Sequence, residues 1–428
     1  MSSIKQNTGL YRIVVTHYVV AALCFLILAM MMLFSVQAFT GHYFHPRILA
    51  ITHMAALGWG TMIILGASYQ LIPVVLETEL YSKKLAWISF SLFLPGMIAL
   101  VYSFWIFIPG IHMQCGAVLL LTAIILFTIN VYLTAKKKKQ QTIQEDFIFS
   151  ACLCLCLTAA LGTVLVFNFT IPIFTQDQLH FLKIHAHLGI AGWFLLMIIG
   201  VSSKLVPMFL VSSYQKTRLL SFSYYLIVSA LLLFIVDSYL SGINYRTYFI
   251  ALIGAAGVAC YLLFIVKCFL SRMRKRIDLP MMSTFFSFIL LKIAILTIPF
   301  IIYYHLKNDP ISIRYSLIYG VLLIMGWITA LILGQTFKTL PFIVWVKHYE
   351  HLTGKVKTPM PADLFKNSLL KVQSAGFIIF CLTFIPGCFF MSQLLLYTGI
   401  SSLLVTAAMY LTNVFIILFH KTKTYGKL

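Results

Sequence analysis

A 21-residue pattern that occurs three times, each copy 134 residues after the last, constrains the fold of this chain most. It reads HMAALGWGTMIILGASYQLIP at 53–73, HLGIAGWFLLMIIGVSSKLVP at 187–207 and VLLIMGWITALILGQTFKTLP at 321–341. A glycine, a tryptophan, a second glycine and a proline keep register in all copies. His53 and His187 open the first two copies, whereas Val321 opens the third. Self-similarity at a fixed period indicates an architecture of repeated units, and the histidine asymmetry among the copies is what a functional interpretation has to explain.

Apolar runs long enough to cross a bilayer as helices fill most of the chain. Hydrophobic residues make up 61% of the 428 positions and charged residues 10%, and about 20 apolar residues suffice for a helical span. We therefore predict an all-α polytopic membrane protein with 12 transmembrane helices, because only helices satisfy every backbone group in such runs. It forms a single integral membrane domain over 1–428, with three pseudo-repeats of four helices at about 1–140, 141–275 and 276–428. The predicted spans are 13–38, 47–75, 85–107, 110–134, 147–170, 181–210, 219–240, 247–270, 281–304, 313–346, 369–391 and 394–419.

The net charge of +21 is distributed unevenly between the two ends of the spans. With the N-terminus in the cytoplasm, most Lys and Arg residues fall on the inner side, for example KKKK at 136–139 and RMRKR at 272–276. This is the positive-inside asymmetry, so the basic clusters are expected to meet anionic membrane lipid and not nucleic acid. We predict an integral protein of a bacterial inner (cytoplasmic) membrane with both termini in the cytoplasm. The outer-side cations are Arg47, Lys183, Arg246, Lys307 and Arg314.

Histidines concentrate in the predicted outer half of the membrane. His53 and His187 lie at the same depth, roughly one and a half to two turns inside the second and sixth spans. Ionisable groups within a bilayer are usually functional, and neutral imidazole is a common metal ligand. His185 and His187 are two positions apart, so they point to nearly opposite faces of a helix. They either serve two separate sites, or one is a cofactor ligand and the other a hydrogen-bonded packing residue.

Other repeated positions have structural interpretations. The repeated glycines predict close helix approach, although the same gap would admit a flat macrocycle, and the repeated tryptophans are expected to fill the bundle interior. Eleven residues after each tryptophan stand Gln70, Lys204 and Lys338, and these lysines are expected to reach the inner interface. Lys292 lies in the middle of the ninth span, where it is expected to face the interior.

Three of these features together resemble subunit I of the haem-copper oxidase superfamily, which also contains nitric oxide reductases. They are twelve helices in three groups of four, histidines in the outer part of a repeated helix, and the H-x-H pair at 185–187. The stretch G-x-x-x-K-L-V-P-M-F at 200–209 is similar to a segment of the NnrS family, haem-containing membrane proteins linked to nitric oxide stress. The resemblance implies an oxidase subunit I-like fold with histidine-ligated haem.

The sequence also departs from the oxidase pattern. In oxidases the H-x-H pair lies on the tenth helix and an adjacent His-His pair serves copper, whereas here H-x-H lies on the sixth span and no His-His pair occurs. The one carboxylate inside a predicted span is Asp237, near the outer end of the seventh. The sequence thus lacks the parts of a proton-pumping oxygen reductase.

We therefore predict a haem-binding membrane redox protein that acts in electron transfer or O2/NO chemistry. His53 and either His187 or His185 would hold a haem b, with the remaining histidine on a second haem or a metal, copper being an option. Arg47 and Arg314 would pair with haem propionates, or are ordinary surface charges. An electron-donor subunit or a quinol would supply electrons.

Two alternatives are an NnrS-like nitric-oxide-responsive haem or copper protein without rapid turnover, and a twelve-helix transporter. In the transporter, Lys292 would line a polar passage. The sequence assigns no catalytic residue, and it leaves open whether the chain is an enzyme.

Overall fold

The computed structural model describes residues 8–137, 141–422 and 425–427. Within these ranges twelve helices are long and apolar enough to cross a membrane, which confirms the predicted number and the all-α polytopic class. In chain order, α1 to α12 are Gly9–Leu33, Pro46–Leu76, Lys83–Ile106, Ile111–Ala135, Ile143–Asn168, Gln178–Leu210, Arg218–Ser241, Arg246–Leu270, Leu279–Leu306, Ile311–Leu352, Asn367–Phe390 and Gln393–Leu418. Two short strands, Val356–Lys357 and Tyr425–Lys427, pair antiparallel.

The repeated pattern lies on α2, α6 and α10, and each of these helices widens into a π-helical segment at the same point. The segments are Met54–Thr61, Leu188–Leu195 and Leu322–Ile328. Each begins directly after the first residue of the pattern, so their starts keep the repeat spacing. A π-turn is rare and is frequently found at functional sites. The third copy keeps it without a histidine, so the widened turn belongs to the shared architecture.

The described helices group into two compact units. The first unit comprises Met1–Gln70, Ile277–Ile293 and Gly320–Leu428, and the second comprises Leu71–Arg276 and Ala294–Tyr319. His53 belongs to the first unit, whereas His185 and His187 belong to the second.

The three repeated tryptophans fill the interior of their units, as predicted. Trp59 and Trp327 are buried in the first unit, and Trp193 is buried in the second. Trp59 stacks on Phe25 with ring centroids 4.3 Å apart, and its Nε1–H donates to Thr329 Oγ1 at 3.2 Å. Trp59 therefore links three helices of the first unit: α1, α2 and α10.

The first repeated glycine lets each of the first two patterned helices approach the helix that opens its repeat. A methyl group on Gly58 would lie 3.2 Å from Cys24 Cβ on α1. On Gly192 it would lie 2.6 Å from Cys154 Cβ on α5, closer than real carbon atoms approach. This confirms the packing interpretation, because a neighbouring helix fills the space beside each glycine.

Candidate functional site

His53 on α2 is held in one orientation by its own helix. Its Nδ1 lies 2.7 Å from the carbonyl oxygen of Leu49, one turn earlier. A carbonyl oxygen only accepts, so Nδ1 carries the hydrogen and Nε2 of the neutral ring carries the lone pair. Metal-ligating histidines have this arrangement, in which a backbone carbonyl fixes the tautomer and the ring orientation. The residue is half-buried and lies directly before the π-helical segment.

His187 on α6 repeats that geometry at the equivalent position. Its Nδ1–H donates to the carbonyl oxygen of Lys183 at 2.8 Å, and the residue is half-buried. Its ring packs against Phe234 on α7, with centroids 4.4 Å apart. It also lies nearly parallel to Tyr319 on α10, at 6.2 Å and 25°. The His187 imidazole thus has a defined tautomer and lies beside two aromatic rings, those of Phe234 and Tyr319.

His185 points the other way, as its spacing from His187 predicts. Its Nδ1–H donates to the carbonyl oxygen of Thr158 on α5 at 3.0 Å. A methyl group on Gly162, also on α5, would lie 2.8 Å from His185 Cε1. His185 therefore packs closely on α5, which favours the alternative in which it is the hydrogen-bonded packing residue.

His17 on α1 shows that the hydrogen bond alone does not mark a ligand. Its Nδ1 makes the same bond to the carbonyl oxygen of Ile13, at 2.7 Å. However, His17 is only 1% exposed and contacts the ring of Tyr69 edge-on, with centroids 5.6 Å apart. His53 and His187 differ from His17 in that each residue as a whole is half-buried.

The third copy of the pattern is packed throughout. Val321 and every residue from 322 to 334 are buried. Apolar side chains thus occupy the position at which the other copies carry a histidine. We therefore interpret the third copy as scaffold.

The candidate propionate partners lie near the starts of their helices. Arg47 is the second residue of α2 and Arg314 the fourth of α10, and both are half-buried. The backbone N–H of Arg47 donates to Nδ1 of His45, which caps α2. Each guanidinium thus precedes the first residue of its copy of the pattern, six residues before His53 and seven before Val321.

One expectation for the lysines is wrong. Lys292 is exposed and does not face the interior, so it gives the transporter alternative no support. Lys338 forms an ion pair with Asp278, the residue directly before α9, and its side chain is only 11% exposed; its reach to the inner interface stays a prediction. At the same position of the second copy, Lys204 is exposed and pairs with Glu77 at 3.2 Å.

The structure does not bring together a copper-like set of ligands within the described residues. No group of three or more His, Cys, Asp or Glu side chains there is placed to hold a metal ion. Asp237, the carboxylate that the sequence placed inside a span, forms an ion pair with Arg246 at 2.9 Å. It also accepts a hydrogen bond from Asn244, so its contacts are those of a helix-end ion pair.

Comparison with known proteins places the chain in a fold class. No family model matches the sequence, and no protein of curated function is similar to it. Among solved structures, the fold is similar to that of a haem-copper terminal oxidase determined as a dimer by cryo-electron microscopy. The TM-score is 0.68 at 12% sequence identity, over 97% of this chain and 85% of that chain. The oxidase subunit I-like fold is thereby confirmed, whereas the NnrS resemblance stays a prediction.

Proposed function

We propose that this chain is a haem-binding integral membrane protein with an oxidase-like fold, in which His53 of the first unit and His187 of the second unit each offer Nε2 to a haem iron. One observation carries the proposal. At the same position of two repeated helices, a histidine donates its Nδ1–H to the carbonyl oxygen one turn earlier, at 2.7 and 2.8 Å. Imidazoles held in this way suit a haem iron.

Residues around His53 and His187 would have distinct roles in binding a haem. The carbonyl oxygens of Leu49 and Lys183 hold the two rings and their tautomers. Phe234 fixes the plane of His187 by packing. Arg47 and Arg314 offer guanidinium groups for propionate carboxylates. When bound, haem supplies one-electron redox chemistry, or a position for a diatomic gas where one axial site stays open.

We place the activity in electron transfer or in O2 or NO binding, and not in proton-pumped oxygen reduction. The ten Asp and Glu residues of the sequence lie between the spans or within two turns of a helix end. The membrane interior therefore carries no carboxylate of the kind that proton-conducting oxidases use. His185 is left out of the ligand set because the Cε1 and Nε2 edge of its ring packs against Gly162 of α5. A membrane partner or a quinol would supply the electrons.

A visible spectrum of the purified protein tests the proposal. After expression with ample haem precursor, we expect a Soret band, sharper bands on reduction by dithionite, and a b-type pyridine haemochrome. The haem should be extractable by acid acetone, because the sequence has no C-x-x-C-H attachment motif. Carbon monoxide and nitric oxide added to the reduced protein then separate a gas-binding haem, whose Soret band shifts, from a haem with two histidine ligands. A folded protein without a Soret band would exclude the proposal.

A further inference from the structure

The middle of α9 presents a cation on an outward face. Lys292 is exposed, and it lies 13 residues after Leu279 and 14 before Leu306, the ends of the helix. At 1.5 Å per residue it is about 20 Å along the helix from either end, which places it near the midplane of a hydrocarbon core about 30 Å thick. A four-carbon stem does not carry an ammonium group from there to either interface.

The residues around Lys292 form a regular apolar seam. Met282 and Ile289 are seven positions apart, Ile293 lies next to Lys292, and all three are exposed. The same spacing continues along this single helix through the exposed side chains of Leu296, Phe300 and Tyr303. A seven-residue repeat of large side chains is the pattern that packs against a second helix at a small crossing angle. Lys292 lies within the seam.

This chain has no counter-charge to offer at that depth. Its carboxylate nearest to the middle of a span is Asp237, four residues before the end of α7, and Arg246 already pairs with it. Among the described residues, no hydrogen bond or ion pair involves Lys292. A second copy related by a two-fold axis would bring lysine to lysine, which is repulsive. Lipid phosphates lie at the interfaces and not at the midplane.

We infer that the exposed face of α9 binds a transmembrane helix of another protein, one that carries Asp or Glu near its own midpoint. The ammonium group of Lys292 pairs with that carboxylate, and the seam of Met282, Ile289 and Ile293 packs on its apolar neighbours. A charged side chain at the bilayer centre is stabilised by such a partner, because ionisable residues within membranes pair with one another. The inference is independent of haem binding.

Photo-crosslinking in native membranes of the source cell tests this. A benzophenone amino acid replaces Ile289 in the full-length chain, and the adduct is identified by mass spectrometry. We expect one membrane protein with a mid-span Asp or Glu, whereas the same probe at Leu382, an exposed residue of α11, does not capture it. Adducts only with lipid, with a second copy of this chain, or with a helix that has no mid-span carboxylate would overturn the inference.

Charge exchange supplies the matched control. Lys292→Met should lower the adduct yield about tenfold or more, since a mid-membrane ion pair is lost, and Lys292→Arg should retain it. Lys292→Asp combined with a lysine in place of the partner's carboxylate should restore the yield. Unchanged elution on gel filtration shows that each variant is folded. An adduct yield that is the same in Lys292→Met and the parent chain would contradict the pairing.

Discussion

His187 donates its Nδ1–H to the carbonyl oxygen of Lys183 at 2.8 Å, one helical turn earlier. His53 makes the equivalent bond at the equivalent position of the first repeat. Two helices related by an internal sequence repeat therefore hold their imidazoles in the same tautomer and at the start of the same widened turn. In the third repeat, Val321 takes the place of the histidine, and Val321 and its neighbours are buried. The missing third histidine in the sequence therefore corresponds to a difference in packing.

The first repeated glycine packs more closely against a neighbouring helix in the second copy than in the third, so its substitution should cost different amounts of stability. A methyl group at Gly192 would overlap Cys154, at 2.6 Å from its Cβ, whereas at Gly326 the nearest atom is Leu290 Cδ1 at 3.5 Å. Gly192→Ala should therefore cost about 1–3 kcal/mol of stability through overpacking, and Gly326→Ala should be nearly neutral. Thermal unfolding in detergent, followed by cysteine-reactive dye fluorescence, measures both. A larger loss in Gly326→Ala than in Gly192→Ala would contradict the packing described here.

The lysines eleven residues after the repeated tryptophan, Lys338 and Lys204, should also differ in how much they contribute to stability. Lys338 and Asp278 are 11% and 32% exposed, whereas Lys204 and Glu77 are 46% and 72% exposed. Lys338→Met leaves a partly buried carboxylate without its cation and should cost about 1–3 kcal/mol, less than for a fully buried pair because Asp278 keeps some water contact. Lys204→Met should change stability by about 0–1 kcal/mol.

The midpoint of unfolding in detergent compares these two variants. Because the Lys338 side chain is only 11% exposed, salt screens its ion pair with Asp278 weakly, so high salt should narrow the difference between the two midpoints only slightly. Equal midpoints for Lys338→Met and Lys204→Met would show that burial does not distinguish the two ion pairs.

His185 should matter for stability and not for haem content. Its ring bonds to the carbonyl oxygen of Thr158 and packs on Gly162, so His185→Ala removes both contacts and should cost about 1–3 kcal/mol. The haem-to-protein ratio should equal that of the parent chain. Haem loss in His185→Ala under conditions where the protein stays folded would return His185 to the ligand set.

Much of the fold was predictable because the hydropathy of the sequence shows how long each apolar run is. Runs of apolar residues set the number of spans, and the repeat placed Trp59, Trp193 and Trp327 at equivalent depths, where all three are buried. The glycine pattern predicted close helix contacts, because a residue without a side chain lets two helix backbones approach each other closely.

Rotation about a helix axis was harder to predict. Lipid and protein interior are both apolar, so the sequence around Lys292 does not distinguish an outward from an inward face. The partner of Lys338 is Asp278, 60 positions earlier, and no local pattern joins the two. The π-helical segments depend on tertiary packing, and intrinsic propensities do not encode them. For the H-x-H pair, spacing predicted opposite faces, but only the structure shows that His185 is the one that packs on α5.

Haem stoichiometry in single-histidine variants tests the central claim most directly. His53→Ala and His187→Ala are purified beside the parent chain and His185→Ala, and haem per chain is measured by pyridine haemochrome together with the reduced Soret spectrum. We predict that His53→Ala and His187→Ala each lower the haem content or shift the Soret band, while His185→Ala matches the parent. A folded His53→Ala and a folded His187→Ala that both keep the parent's haem content and spectrum would contradict the account.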